Sequence, residues 1–239
     1  MNRDSSGLPL RFVVMDAPPP DRPTWSDPRR VNCGFAFRGV EAPRCVTFVT
    51  QVHGNATSRV EWGPGKAWPA APSEGDALWT TSTGLPVAVR VADCVPILLW
   101  TPGAVAAVHA GWRGTAANIV GATLAWAAEE LAVDPRAVFA AIGPCISRDR
   151  FEVGPEVVEG LLSVGLQEAD LDVITGPRGR PHVDLRRANR ALLTRAGVPD
   201  EQIEDVGGCS WSEPRYESYR RDGAASGRML GFIARVGGP

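Results

Sequence analysis

Three histidines occur in this chain of 239 residues, and two of them, with one cysteine, stand in settings that could do chemistry. His53 lies in Gln-Val-His-Gly (51–54), Cys94 in Ala-Asp-Cys-Val-Pro (92–96) and His109 in Val-His-Ala-Gly-Trp-Arg-Gly (108–114). Two imidazoles and a thiolate form a ligand set of borderline softness. Three protein ligands with an open fourth position is the arrangement of a catalytic zinc, whereas a structural zinc takes four protein ligands. Taken singly, each residue has a plainer reading, as a hydrogen-bonded histidine or a small buried thiol. Position argues for more.

Cys94 and His109 both adjoin short apolar runs, Pro96–Trp100 and Ala104–Val108, joined by the turn dipeptide Pro102-Gly103. Strands joined so closely pair as an antiparallel hairpin, which brings Cys94 and His109 to one sheet edge. Gly111 and Gly114 permit close backbone approach beside His109. Thr115 is read as the N-cap of a helix reaching about Leu131, with free N–H groups that could meet an anion. Arg113, in the same turn, is the candidate holder of phosphate or carboxylate. Gln51 and Asp93 complete the candidate substrate contacts, although Asp93 faces away from Cys94 if strand geometry continues. His182 has no partner pattern and is read as structural, Cys145 after Gly143-Pro144 is read as a buried structural cysteine over one near the site, and Cys33, Cys45 and Cys209 carry no ligand spacing.

Around these lie a strand over 85–92, a strand over 139–142, helices over 156–164 and 185–196, and late strands over 203–206 and 229–236. Asp184 caps the second of those helices and Gly197 stops it. Hairpin-linked and helix-linked strands in one chain give the class α+β, a single layered α/β sandwich domain with mixed β-sheets flanked by helices. Prolines at 9, 18, 19, 20, 23 and 28 mark residues 1–30 as an extended arm holding one short strand at 10–15; the catalytic domain is read as 31–239. A proline- and glycine-rich loop follows at 62–73.

Composition removes several classes of function. With 44% apolar and 22% charged residues the chain is an ordinary globular one. A net charge of −2 supplies no field for nucleic acid. No run approaches the ~20 apolar residues a membrane helix needs. Phe12–Met15 is too short for a signal-peptide core of about 7–15 residues. Five cysteines without a Cys-x-x-Cys pair argue for a reducing compartment, so the expected location is the cytoplasm. A monomer is expected. A multicopper oxidase would need about ten imidazoles across its copper centres, and three are present.

The chain resembles the YfiH family, the laccase-domain or "polyphenol oxidase" proteins. The resemblance rests on Gln51–Gly54, Gly75-Asp-Ala77, Ala92–Leu98, Ala107–Gly114, Ile142–Ile146, Phe151–Gly154, Asp184-Leu185 with Asn189, Cys209, Ser218–Gly223 and Gly227-Arg228, collinear from about 31 to 235. It implies a fold shared with the cytotoxic necrotizing factor deamidases, and a zinc ion on His53, Cys94 and His109, which are also the implied catalytic residues. It further implies a purine nucleoside phosphorylase acting on adenosine, inosine, guanosine and methylthioadenosine, with phosphate as co-substrate and adenosine deaminase activity beside it. Zinc suits deamination, since it lowers the pKa of bound water toward ~7 for attack at purine C6. The general acid for phosphorolysis stays open between Asp93, Glu74 and a water. The family usually carries more chain before Gln-x-His-Gly than Cys33–Thr50, so a helix and its share of the pocket are expected to be missing here. Arg90 replaces a residue commonly small or apolar, and Glu217 one that is frequently aromatic.

A second reading takes Cys94 as nucleophile and His109 as base of an amide hydrolase, for peptidoglycan editing or deamidation. A third is a binding module without catalysis, against which the intact ligand residues argue.

Overall fold

The computed structural model describes residues 21–27, 29–37, 46–63, 65, 67–69 and 74–237. In chain order the elements begin with β1 (Val31–Ala36), β2 (Thr47–Phe48), β3 (Thr57–Arg59), β4 (Ala77–Thr80), β5 (Val87–Val91), β6 (Val95–Trp100) and β7 (Val105–Ala110). Then come α1 (Trp112–Ala116), α2 (Ile119–Leu131), β8 (Phe139–Ile142), α3 (Pro155–Ser163), α4 (Glu168–Leu171), β9 (Ile174–Thr175) and β10 (Pro181–His182). The chain continues through α5 (Leu185–Arg195), β11 (Ile203–Asp205), α6 (Tyr219–Asp222) and β12 (Met229–Arg235).

Strands β6 and β7 are apolar on both faces because both faces are covered. They lie inside a six-stranded mixed sheet of order β11-β8-β6-β7-β4-β3. Trp79, Ile97, Leu99, Ala106, Val108 and Ile142 turn to one side, against α2, α3 and α5. Leu78, Leu98, Val105, Ala107 and Ala141 turn to the other, against Val31, Cys33, Phe35, Val87, Val89 and Ile233. Those partners belong to a four-stranded sheet of order β1-β12-β5-β2. The result is three layers, helices on sheet on sheet, the layered α+β arrangement with mixed sheets expected from the sequence. The small ribbon of β9 and β10 stands apart from both sheets.

The expected hairpin forms, with Pro96 opposite His109 and Trp100 opposite Val105. Thr101 closes its turn by accepting the N–H groups of Gly103 and Ala104 at 3.3 and 3.0 Å. The helix expected from Thr115 to Leu131 differs. It starts at Trp112, breaks, and restarts at Ile119. Asn118 takes the left-handed conformation (φ 54°) and accepts the Gly121 N–H at 3.1 Å, as a short amide side chain readily does. Thr115 is no cap. Its hydroxyl donates to the Gly111 carbonyl and accepts from Asn189, both at 3.0 Å. Asp184 does cap α5, taking the N–H groups of Arg186 and Arg187.

Residues 1–20, with the short strand read at 10–15, lie outside the described residues, as do Cys45, Lys66 and part of the 62–73 loop. Residues 21–27 run along the sheets. Trp25 stacks on Trp100 with centroids 6.4 Å apart, and Thr24 donates to Glu204. Among the described residues no helix is long and apolar enough to cross a membrane.

Candidate metal centre

His109 stands near the end of β7, 2% exposed, inside the larger sheet. Beside it the ladder pairs Ala77 with Val108, and the His109 N–H donates to the Asp76 carbonyl at 2.7 Å. The register therefore sets Asp76 directly across from His109, on the same face. The Asp76 carboxylate, fully buried, lies 2.7 Å from His109 Nδ1. An imidazole held through Nδ1 by an anion presents Nε2 as its free ligand atom.

The same carboxylate builds the loop that carries His53. It accepts the backbone N–H groups of Val52, His53 and Gly54 at 3.3, 3.0 and 2.7 Å. His53 takes a positive φ of 62°, uncommon for a residue with a side chain, and the carboxylate holds it there. The His53 ring meets the His109 ring edge-on at 4.8 Å between centroids. Cys94 enters from the start of β6, and the ligand atoms of His53, Cys94 and His109 all lie within 4.8 Å of one another. Gly111 closes the back of the site. A Cβ there would stand 3.0 Å from Cys94 Sγ and 3.3 Å from a His53 ring carbon. Gly114 lets α1 approach the His53 loop, since a Cβ there would stand 3.0 Å from the Gly54 carbonyl oxygen.

Electrostatics follow from these contacts. Burial alone would raise the Cys94 thiol, but the imidazoles of His109 and His53 outweigh it and bring it down to about 7. Burial would lower His109, yet Asp76 and the Cys94 sulfur raise it to about 9. Asp76 is pushed up by burial and pulled below its ordinary value by His109 and the loop N–H groups. The trio offers two imidazole nitrogens and an easily ionised thiol, converging on one point from a fixed frame. That donor set fits a zinc ion.

The other expected contacts fare differently. Gln51 borders the cleft, but its amide is spent on the Arg90 backbone, donating to the carbonyl at 2.9 Å and accepting the N–H at 2.8 Å. Asp93, also at the cleft, has a φ of 90°, and both its carboxylate oxygens are taken, one by the Ser210 hydroxyl and one by the Arg220 N–H, each at 2.6 Å. Arg113 is exposed, with its guanidinium 4.5 Å from the Trp112 ring centroid, and it does not line the cleft. The chain is already helical at Trp112, so Arg113 lies within α1 and not in the turn before a helix. Glu74 is exposed and likewise absent from the cleft wall. His182 is buried with Nδ1 on the Arg148 carbonyl at 3.0 Å. Cys145 and Cys209 pair across a β-bridge and do not belong to the convergent trio.

The trio opens on a cleft of about 810 Å³ walled by Phe48, Trp68, Phe151 and Tyr219 and by Arg90, Arg220 and Arg228. Sequence reasoning quoted Gly75-Asp-Ala77 without giving Asp76 a role. The signal that could have found it is its place one residue before a buried strand that pairs with the His109 strand.

Fold and centre together define a layered α+β protein that presents a His–Cys–His group to an open cleft. The family model for multi-copper polyphenol oxidoreductase laccase matches residues 30–236. The chain belongs to this laccase-domain family, the one that includes proteins named YfiH and YlmD. A purine nucleoside phosphorylase of Deinococcus radiodurans is 37% identical over 214 residues, covering 89% of this chain and 77% of that protein. An adenosine deaminase of an unknown prokaryotic organism is 43% identical over 163 residues, covering 67% of this chain and 62% of that protein, less than two thirds of its length. The crystal structure of YlmD from Geobacillus stearothermophilus superposes with a TM-score of 0.73 at 35% identity, covering 80% of this chain and 74% of that one.

Proposed function

We propose that this protein is a zinc-dependent purine nucleoside phosphorylase acting on adenosine, inosine, guanosine and methylthioadenosine, with adenosine deaminase activity. The observation that carries the reading is the meeting of His53, Cys94 and His109 at a cleft of about 810 Å³, within the ~300–1,000 Å³ of small-molecule sites. The names of the relatives, purine nucleoside phosphorylase and adenosine deaminase, support the substrate class. Zinc, when bound, supplies Lewis-acid chemistry.

The chain's own residues do the rest. Asp76 fixes the His109 tautomer and holds the His53 loop. Phe151, Tyr219 and Trp68 offer aromatic faces for a purine ring along the cleft. Phosphate is the second substrate of phosphorolysis. The enzyme acts as a cytoplasmic monomer on small molecules, with neither nucleic acid nor membrane as partner. A net charge of −2 and four free cysteines among the described residues support that setting.

Metal analysis of the purified protein should give about one zinc per chain. Incubation with adenosine and phosphate should give adenine with ribose 1-phosphate, or inosine. Absence of every such product across several purine nucleosides would remove the reading.

The alternative, a Cys–His amide hydrolase of the peptidoglycan-editing or deamidase kind, gains from one feature. Asp76, His109 and Cys94 form a carboxylate–imidazole–thiol line of the kind that activates a cysteine nucleophile. A metal-free protein whose alkylated Cys94 abolishes amide hydrolysis would favour it.

A further inference from the structure

Two of the three cleft arginines adjoin neighbouring strands of the smaller sheet, Arg90 within β5 and Arg228 just before β12. Along β5, Val87 and Val89 turn into the core between the sheets, so Arg90 turns the opposite way with Ala88. Leu230 of β12 is the direct partner of Arg90. Arg228 stands one residue before β12 and two before Leu230, so the strand direction continued puts it on the Arg90 side of the sheet. Both line the cleft.

Their donors are largely unspent. Among the described residues none of the cleft arginines has a carboxylate within ion-pair distance. The Arg90 guanidinium lies over the Phe48 ring, 3.9 Å from its centroid, a contact that orients the group without using its N–H donors. Arg228 gives only Nη1, to the Ser226 and Gly227 carbonyls at 3.1 and 2.7 Å. Arg220 is more committed, donating to the Glu152 carbonyl at 2.9 Å. Among the described residues the one carboxylate on the wall, Asp93, is occupied by Ser210 and the Arg220 N–H.

The placement of Arg90 is itself built. β2 pairs with β5 only as far as Ala88, and the Gln51 amide takes both backbone groups of Arg90 beyond that point. A fixed, stacked guanidinium and a second with Nε and Nη2 unspent, on a concave wall whose described residues leave no carboxylate available, match a dianion with several acceptor oxygens.

We infer that Arg90 and Arg228 form a phosphoryl-binding site on the cleft wall, taking a phosphate dianion either free or esterified to a nucleoside. The inference rests on the purine reading for what carries the phosphoryl group, and on the two arginines for the anion itself. The role expected of Arg113 thereby passes to residues that do line the cleft.

Calorimetric titration of the full-length protein tests it, with inorganic phosphate, adenosine 5′-monophosphate and adenosine as the three probes. Arg90→Gln and Arg228→Gln should each weaken phosphate by about tenfold or more, the loss of a charged hydrogen-bond pair, and leave adenosine within about twofold. Arg90→Lys, which keeps the charge and loses the fork, should fall between wild type and Arg90→Gln. A nucleotide that binds more tightly than adenosine and displaces phosphate identifies the esterified source. A nucleotide that gains nothing over adenosine, with phosphate still sensitive to Arg90, identifies free phosphate. Equal phosphate affinity in wild type and both Gln variants, with melting curves unchanged, overturns the site, as does a wild type that binds neither phosphate nor the nucleotide above adenosine. Binding is read without turnover. A protein that forms no purine product yet loses phosphate on Arg90→Gln would refute the purine reading and keep this one.

Discussion

Asp76 Oδ1 stands 2.7 Å from His109 Nδ1, and the same carboxylate takes the backbone N–H of His53 at 3.0 Å. One buried anion thus orients one imidazole directly and the other through its loop.

Asp76→Asn should therefore damage both imidazoles at once. The neutral amide accepts more weakly from the loop and from His109. Metal affinity should fall by about 10–100-fold, as when a hydrogen-bond partner of a ligating histidine is lost. Competition with a chelator of known affinity reads the change. Unchanged affinity would separate Asp76 from the centre.

Gly111→Ala isolates sterics from backbone strain. Gly111 has φ −72° and ψ 172°, a conformation open to any residue. The added Cβ would meet Cys94 Sγ at 3.0 Å and the His53 ring at 3.3 Å. Metal content should fall well below one per chain, while the cost in stability stays within about 1–3 kcal/mol, the usual range for an overpacked site. Metal analysis beside thermal melting separates the two effects.

Thiol reactivity should sort the cysteines. With no ion bound, Cys94 titrates near 7, below the ordinary thiol value of 9.0 because His109 and His53 favour its anion against the effect of burial. Its alkylation rate should rise with pH and level off above about 7, about two pH units earlier than a free thiol. Cys33 and Cys145, pushed by burial to about 12 and 11, should stay unmodified in the folded protein. Zinc should protect Cys94, and His109→Ala should shift its profile upward. Mass spectrometry of timed alkylations gives each rate.

Asp93→Asn should test positioning against acid catalysis. Losing the charged acceptor of Ser210 and of the Arg220 N–H should cost about 1–3 kcal/mol of stability and loosen the start of α6, where Tyr219 and Arg220 meet the cleft. KM should rise with kcat little changed. A collapse of kcat at unchanged stability would instead make Asp93 the proton donor.

Much of this was legible in the sequence where chemistry is scarce. With three histidines in the chain, a ligand set could be assembled from residue types alone. The Pro102-Gly103 turn made the β6–β7 pairing readable, and Asp184 and Gly197 bounded α5. Asp76 was harder, being one of 27 acidic residues, and its importance comes from the pairing of β4 with β7 across some thirty positions. Strands β2, β3 and β4 are two to four residues long, too short to show alternation. The break at Asn118 was hidden because apolar spacing continues through α2 past it. Arg113 was misplaced because the chain is already helical at Trp112, which puts Arg113 inside α1 and not in the turn before a helix.

The position of β12 between β1 and β5 has a consequence for how this chain comes off the ribosome. His53, Cys94 and His109 are all synthesised more than a hundred residues before Met229–Arg235, the strand that completes the neighbouring sheet. Until Met229–Arg235 arrives, β1 and β5 expose open edges to one another and to other chains, a hazard in any slowly assembled sheet. Such distant pairing also predicts leisurely folding, on the scale of milliseconds to seconds. The cleft wall is thus finished last, since Arg228 and the strand that follows it are made long after His53, Cys94 and His109.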